Sequence, residues 1–270
     1  MLIHIRKIVS RSAFTPAFIT WLVCSFISQT ALAGQLLVDK SVAGVKPMVL
    51  TAPNGVPLVN IATPGSNGVS KNQYTQFDVN SKGVILNNSI NPVNTTLGGY
   101  VPGNSQLGDY SARVILNQVN GTSPSSLNGY LEVAGQNAQV IVANENGITC
   151  NGCGFINTSA GTLTTGQVNL GVSGVSSFTV EQGLLQINGL GLNASNTPEL
   201  TLMGRHIKVD APIHAQALNL VAGVNEVTAN NTATQINSHI PASSNVAIDT
   251  SALGGMYANR IHLVSTEAGM

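Results

Sequence analysis

Cys150 and Cys153 are the residues whose type and spacing most directly suggest chemistry. They lie in VIVANENGITCNGCGFIN (140–157), a β-rich run interrupted by two turns. The third cysteine, Cys24, falls in a leader-like segment, so the pair stands alone in the rest of the chain. A C-x-x-C pair serves as half of a zinc site, as a redox dithiol or as a disulfide. Zinc needs four ligands, and the sequence has no second Cys pair and no His near this one. A thioredoxin-type site needs a βαβ frame with its first Cys at a helix start, whereas β-type sequence and glycines flank both residues here. Two readings stand: a structural disulfide, favoured in an exported protein, and a plain pair of buried thiols.

The other reactive side chains are scattered. Asp39, Asp78, Asp109, Glu132, Glu145, Glu181, Glu199, Asp210, Glu226, Asp249 and Glu267 occur singly. A polysaccharide lyase or hydrolase needs clustered carboxylates as acid and base or as calcium ligands. The nearest basic group, Arg205, His206 and Lys208 beside Asp210, alternates along a strand-like run and reads as a solvated sheet face. His206, His214, His239 and His262 show no metal spacing. No metal and no cofactor is expected. Asn-x-Ser/Thr triplets start at Asn87, Asn94, Asn120, Asn157, Asn193 and Asn230, a number that abundant Asn, Ser and Thr produce by chance.

The elements that must position these residues are strands. Of 270 residues only 8% are charged and 4% aromatic, while 29 Asn and 28 Gly accompany many Val, Leu and Ile. That mixture suits short strands separated by tight turns. The 43% hydrophobic content supports a sizeable core and argues against disorder. Arg6, Lys7 and Arg11 precede an apolar run from Ala17 to Ile27, and Ala31 and Ala33 form a small-x-small site. This reads as a signal peptide over 1–33, cleaved before Gly34. The apolar run is shorter than the roughly 20 residues of a spanning helix. Removing it leaves eight Lys or Arg against eleven Asp or Glu, with no basic patch for nucleic acid.

From Gly34 the chain shows no helical period over ten or more residues. Strands are expected over 56–61, 73–79, 83–86, 112–119 and 129–134, with turns at Pro53 to Gly55 and at Pro64 and Gly65, and a loop over 91–106. The second half repeats: QVIVANENG (139–147), ELTLMG (199–204), ALNLVAG (217–223) and RIHLVSTEAG (260–269) share alternating apolar positions and a closing glycine. Leu200 and Leu202 recur eighteen residues later as Leu218 and Leu220, close to one coil of a solenoid. Stacked coils would align inward Leu, Val and Ile into ladders. Asn suits the bends, tolerating left-handed backbone and bonding along the stack. The predicted fold is an all-β parallel β-helix. The less regular N-terminal third would cap one end, since a bare strand edge is a template for pairing. The other end is expected to be an uncapped coil or to continue past Met270.

Four blocks in order carry a resemblance: VPLVNIATPGSNGVSKNQYTQFDVNSKGVILNNS (56–89), LNGYLEVAGQNAQVIVANENGITCNGCGFINTSAGTLTTG (127–166), LVAGVNEV (220–227) and GGMYANRIHLVSTEAGM (254–270). Through them residues 34–270 resemble the secretion domain of two-partner secretion exoproteins, which include filamentous haemagglutinin, haemolysins and contact-dependent inhibition toxins. The resemblance implies a right-handed parallel β-helix with an N-terminal β cap and extra-helical hairpins. It implies a non-catalytic role: after export to the periplasm of a Gram-negative bacterium, the domain is recognised by the POTRA domains of an outer-membrane β-barrel transporter and initiates passage to the surface. Contact with a host or neighbouring cell would fall to a C-terminal region beyond this sequence. The family's Asn-Pro-Asn-Gly motif falls on Asn144, Glu145, Asn146 and Gly147, with Glu in place of Pro. Its Asn-Pro-Asn-Leu motif falls on Asn104, Ser105, Gln106 and Leu107, where only Asn104 and Leu107 match. Whether these turns contact the transporter or only shape the backbone stays open at this stage. The competing readings are a stand-alone secreted adhesin and, behind it, a polysaccharide-active β-helix enzyme.

Overall fold

Alternating Val, Ile and Leu, cut every few residues by Asn or Gly, leave the backbone no regular option but short strands. The computed structural model describes residues 35–236, 246–250 and 255–267, and every regular element among them is a strand. The expected signal peptide and His239 lie outside the described residues.

One sheet runs Leu36–Val38, Val69–Phe77, Val114–Val119, Ala138–Ala143, Thr158–Thr164, Leu200–Gly204, Ala217–Ala222 and Arg260–Ser265. All its pairings are parallel except the first, which is antiparallel. A second sheet of eleven strands turns a corner. Its strand Ile148–Ile156 pairs through its first half with Ser125–Leu127 and through its second half with Tyr130–Gly135. Leu184–Ala194 divides in the same way between His206–Val209 and Ile213–Ala215. Each complete coil therefore has three faces, one from the first sheet and two from the second. This is a parallel β-helix.

The eighteen-residue repeat is the stacking register itself: Leu200 pairs with Leu218 and Leu202 with Leu220, and the next coil adds Ile261 and Leu263. Leu200, Leu202, Leu218 and Leu220 are fully buried in one continuous core. Each such leucine contributes about 1.5–3 kcal/mol relative to exposure. The N-terminal end is capped by antiparallel strands, Leu36–Val38 on Val69–Phe77 and Met48–Thr51 on Pro57–Asn60. Tyr74 and Phe77 meet edge to face at 4.9 Å just beneath the first of these.

The stretch 91–106, read from sequence as a loop, contains a hairpin of Val93–Thr95 and Gly99–Val101. Its turn is held from outside: the buried Glu132 carboxylate accepts the N–H groups of Thr96 and Leu97 at 2.6 and 2.7 Å. Local composition could not reveal an anchor more than thirty residues away. A second extra-helical unit is the antiparallel sheet of Gln167–Gly171, Gly174–Val180, Asn225–Thr228 and Ala233–Gln235. Its Phe178, Val180 and Val227 cover Leu116, Ile141, Met203 and Val221, which point outward from the first sheet. Those strands are buried on both sides and so read as unbroken apolar runs.

Asparagine occupies bends, as expected, at Asn157, whose φ is 54° and whose Nδ2 donates to the carbonyls of Val133 and Gly135. It also occupies strand interiors. Asn72 and Asn117 stack in register and are fully buried, each donating to a carbonyl of the following coil, and Asn87 Nδ2 donates to Asn60 Oδ1 at 2.8 Å.

Candidate functional site

The strand Ala138–Ala143 ends where Asn144 turns the chain into the next face. Asn144 is 1% exposed. Its Oδ1 accepts the N–H of Asn146 at 3.0 Å, and its carbonyl accepts the N–H of Gly147 at 3.1 Å, an Asx-turn enclosed in a β-turn. Its Nδ2 donates to the Ser123 carbonyl and to Ser125 Oγ, both at 3.0 Å, tying the turn to the preceding coil. Gly147 has φ 120°, and a Cβ there would stand 2.9 Å from the Leu184 carbonyl oxygen, so glycine is required. Glu145 is half-buried and Asn146 is exposed, its Nδ2 donating to the Gly121 carbonyl at 2.7 Å.

Asn104 makes an equivalent turn at another level of the coil stack. Its Oδ1 accepts from the N–H of Gln106 at 2.9 Å and its carbonyl from the N–H of Leu107 at 3.2 Å. Its Nδ2 donates to the carbonyls of Ile61 and Asn87 at 2.9 and 3.0 Å. Leu107 is buried in the main core. Among the described residues no hydrogen bond joins this turn to that of Asn144, so the two motifs are separate fold-building bends. A related device escaped the sequence reading: Asn88 accepts from the Ala112 N–H and donates to the carbonyls of Ala112 and Gln136. Its signal was present as the Asn pair ending the apolar run VILNN.

Cys150 and Cys153 are bridged, with their Cα atoms 5.4 Å apart and both side chains in the core. They flank the corner at which Ile148–Ile156 passes from one face to the next, where Gly152 takes φ 78° and the pairing register with Leu184–Ala194 shifts. Arg205 departs from the solvated face expected for it. It is 7% exposed, and its guanidinium donates to both Glu267 oxygens at 3.1 and 2.9 Å. Lys208 keeps the surface pairing, 3.2 Å from Asp210. His214 stacks on Tyr257 with ring centroids 5.0 Å apart.

The turns at Asn144 and Asn104 are thus both bonded to the backbone of neighbouring coils. A family model described as "TPS secretion domain", TPS denoting two-partner secretion, matches residues 34–270. The chain belongs to the TPS secretion domain family. The crystal structure of the filamentous hemagglutinin secretion domain superposes with a TM-score of 0.79 at 35% identity, covering 87% of this chain and 80% of that one. Toxin CdiA of Yersinia pestis is 44% identical over 264 residues, covering 96% of this chain and 8% of the toxin. The 16S rRNA endonuclease CdiA of Enterobacter cloacae is 46% identical over 253 residues, again 8% of its length. The chain therefore spans about 8% of the curated relatives it matches, and the nuclease activity in such a name is a property of the much longer protein.

Proposed function

We propose that this TPS domain is the secretion signal of a larger exoprotein, exported through the 1–33 leader and recognised in the periplasm by the POTRA domains of an outer-membrane transporter. Family membership over 34–270 carries this reading. Within it, Asn144 and Asn104 shape their turns, while the half-buried Glu145 and the exposed Asn146 present side-chain surface to the transporter. The domain performs no reaction of its own. The Cys150–Cys153 bridge staples one corner of the β-helix in the oxidising periplasm. Adhesive or toxic activity toward another cell belongs to a region beyond this sequence, as the length of the CdiA relatives suggests.

Titration of the purified chain against purified POTRA domains by calorimetry tests the recognition step. Saturable binding that weakens in Glu145→Ala and in Asn146→Ala is expected. Saturable binding unaltered by either change would remove the turn from the contact, and absence of binding would remove the recognition step itself.

A further inference from the structure

Beyond the secretion role, we infer that the Cys150–Cys153 bridge is made on the unfolded chain and that closure of the β-helix then seals it. Both cysteines are out of solvent, Cys150 at 0% and Cys153 at 1% exposure. Cys150 pairs with Leu127 of the preceding coil and with Ile187 of the following one, and Cys153 pairs with Leu192. Those three side chains are themselves fully buried in the same core. The Gly191 carbonyl oxygen of the following coil lies 3.3 Å from Cys150 Sγ, and Leu190 packs over Gly152, where an added Cβ would stand 3.2 Å from it. Thiol–disulfide exchange needs a thiolate that an external disulfide can approach. Once both neighbouring coils are in place, no such approach is open.

The chain can make the bridge before it folds because the pairing is local. Only Asn151 and Gly152 separate the two cysteines. Their Cα atoms are 5.4 Å apart, against about 10 Å for three residues of extended strand. Gly152, at φ 78°, supplies the bend that brings them together. That bend is the corner at which the register with Leu184–Ala194 shifts, so a chain bridged in advance already carries one corner of its coil. The oxidant is an external disulfide, the class that an oxidising periplasm supplies. One cysteine thiolate attacks it and releases a first thiol, and the second attacks the mixed disulfide and releases another. The chain loses two electrons and two protons, and the oxidant ends as two thiols. A chain that folds while reduced is shut off from this reaction until the coil reopens. Only the place where the oxidant is met comes from the secretion reading.

Purified chain, reduced and freed of reductant, is exposed to glutathione disulfide in guanidinium chloride and, in parallel, after transfer to native buffer. Acid quenching, alkylation and mass measurement follow the thiols, and circular dichroism follows the fold. In denaturant the expected product is the internal bridge rather than glutathione adducts. In native buffer the folded, reduced chain should oxidise at least about a hundredfold more slowly, relative to free cysteine in the same solvent, because reaction waits on opening of the coil. A reduced chain that gains no β-sheet signal until it is bridged would support the same order. Folded, reduced chain that oxidises as fast as the denatured chain, or denatured chain that accumulates only glutathione adducts, would overturn it. No transporter is present in either arm, so these outcomes are separate from the fate of the secretion reading.

Discussion

Asn104 and Asn144 make the same turn at different levels of the β-helix: in each the side-chain oxygen accepts the N–H two residues on, at 2.9 and 3.0 Å, and the amide reaches back to the preceding chain. Both are buried, at 2% and 1% exposure. Their replacement therefore acts on folding before it can act on recognition. Asn144→Ala strands the Ser123 and Ser125 partners and should cost about 1–3 kcal/mol. Asn104→Ala should cost a similar amount, whereas Glu145→Ala should stay within about 0.5 kcal/mol of the parent. Urea denaturation of the three variants measures this. Equal stability for Asn144→Ala and Glu145→Ala would mean that the turn is not structural.

Gly147→Ala is a sharper steric test. The new Cβ would meet the Leu184 carbonyl at 2.9 Å in a backbone region that L side chains avoid. A loss of about 1–3 kcal/mol is expected. A melting temperature equal to the parent's would show that the turn relaxes without cost.

The disulfide closes a short loop, so its entropic contribution is small, about 2 kcal/mol. Alkylation followed by mass measurement, with and without reductant, should find both thiols protected in exported material. The double change Cys150→Ser and Cys153→Ser should destabilise by somewhat more than that figure, because two hydroxyls replace sulfur in a closed core. Free thiols in exported protein would contradict the staple.

Acid stability should depend on Asp39. Donation from Asn120 Nδ2 at 2.8 Å, and then from the Ser41 hydroxyl and N–H, holds its carboxyl below the ordinary carboxylate range. A carboxylate whose folded pKa is depressed contributes stability above its unfolded pKa of about 3.9, and that contribution is lost as pH falls through the folded value. Asp39→Asn should therefore be less stable than the parent at neutral pH, with the gap closing as pH falls below the ordinary carboxylate range and through the depressed folded value. A gap that persists unchanged at low pH, followed by circular dichroism, would assign the effect to packing instead.

The β-helix was legible because its cause is periodic. The eighteen-residue return of Leu200 and Leu202 is the stacking register, so counting along the chain amounts to counting coils. The cap was legible from the irregularity of the N-terminal third. What stayed hidden depends on distant partners. Nothing near residues 93–101 announces that Glu132 will hold their turn, and nothing near Arg205 announces that Glu267 will bury it. The Asn144 and Asn104 turns were legible as turns, but their burial was not, since the backbone atoms they bond belong to neighbouring coils.

The most direct test of the central claim is secretion itself. The full chain is expressed in a Gram-negative host with and without its cognate outer-membrane transporter, and the culture medium is immunoblotted for it. The account predicts protein in the medium only when the transporter is present, and retention in the periplasm without it. Equal export in the absence of any such transporter would contradict it.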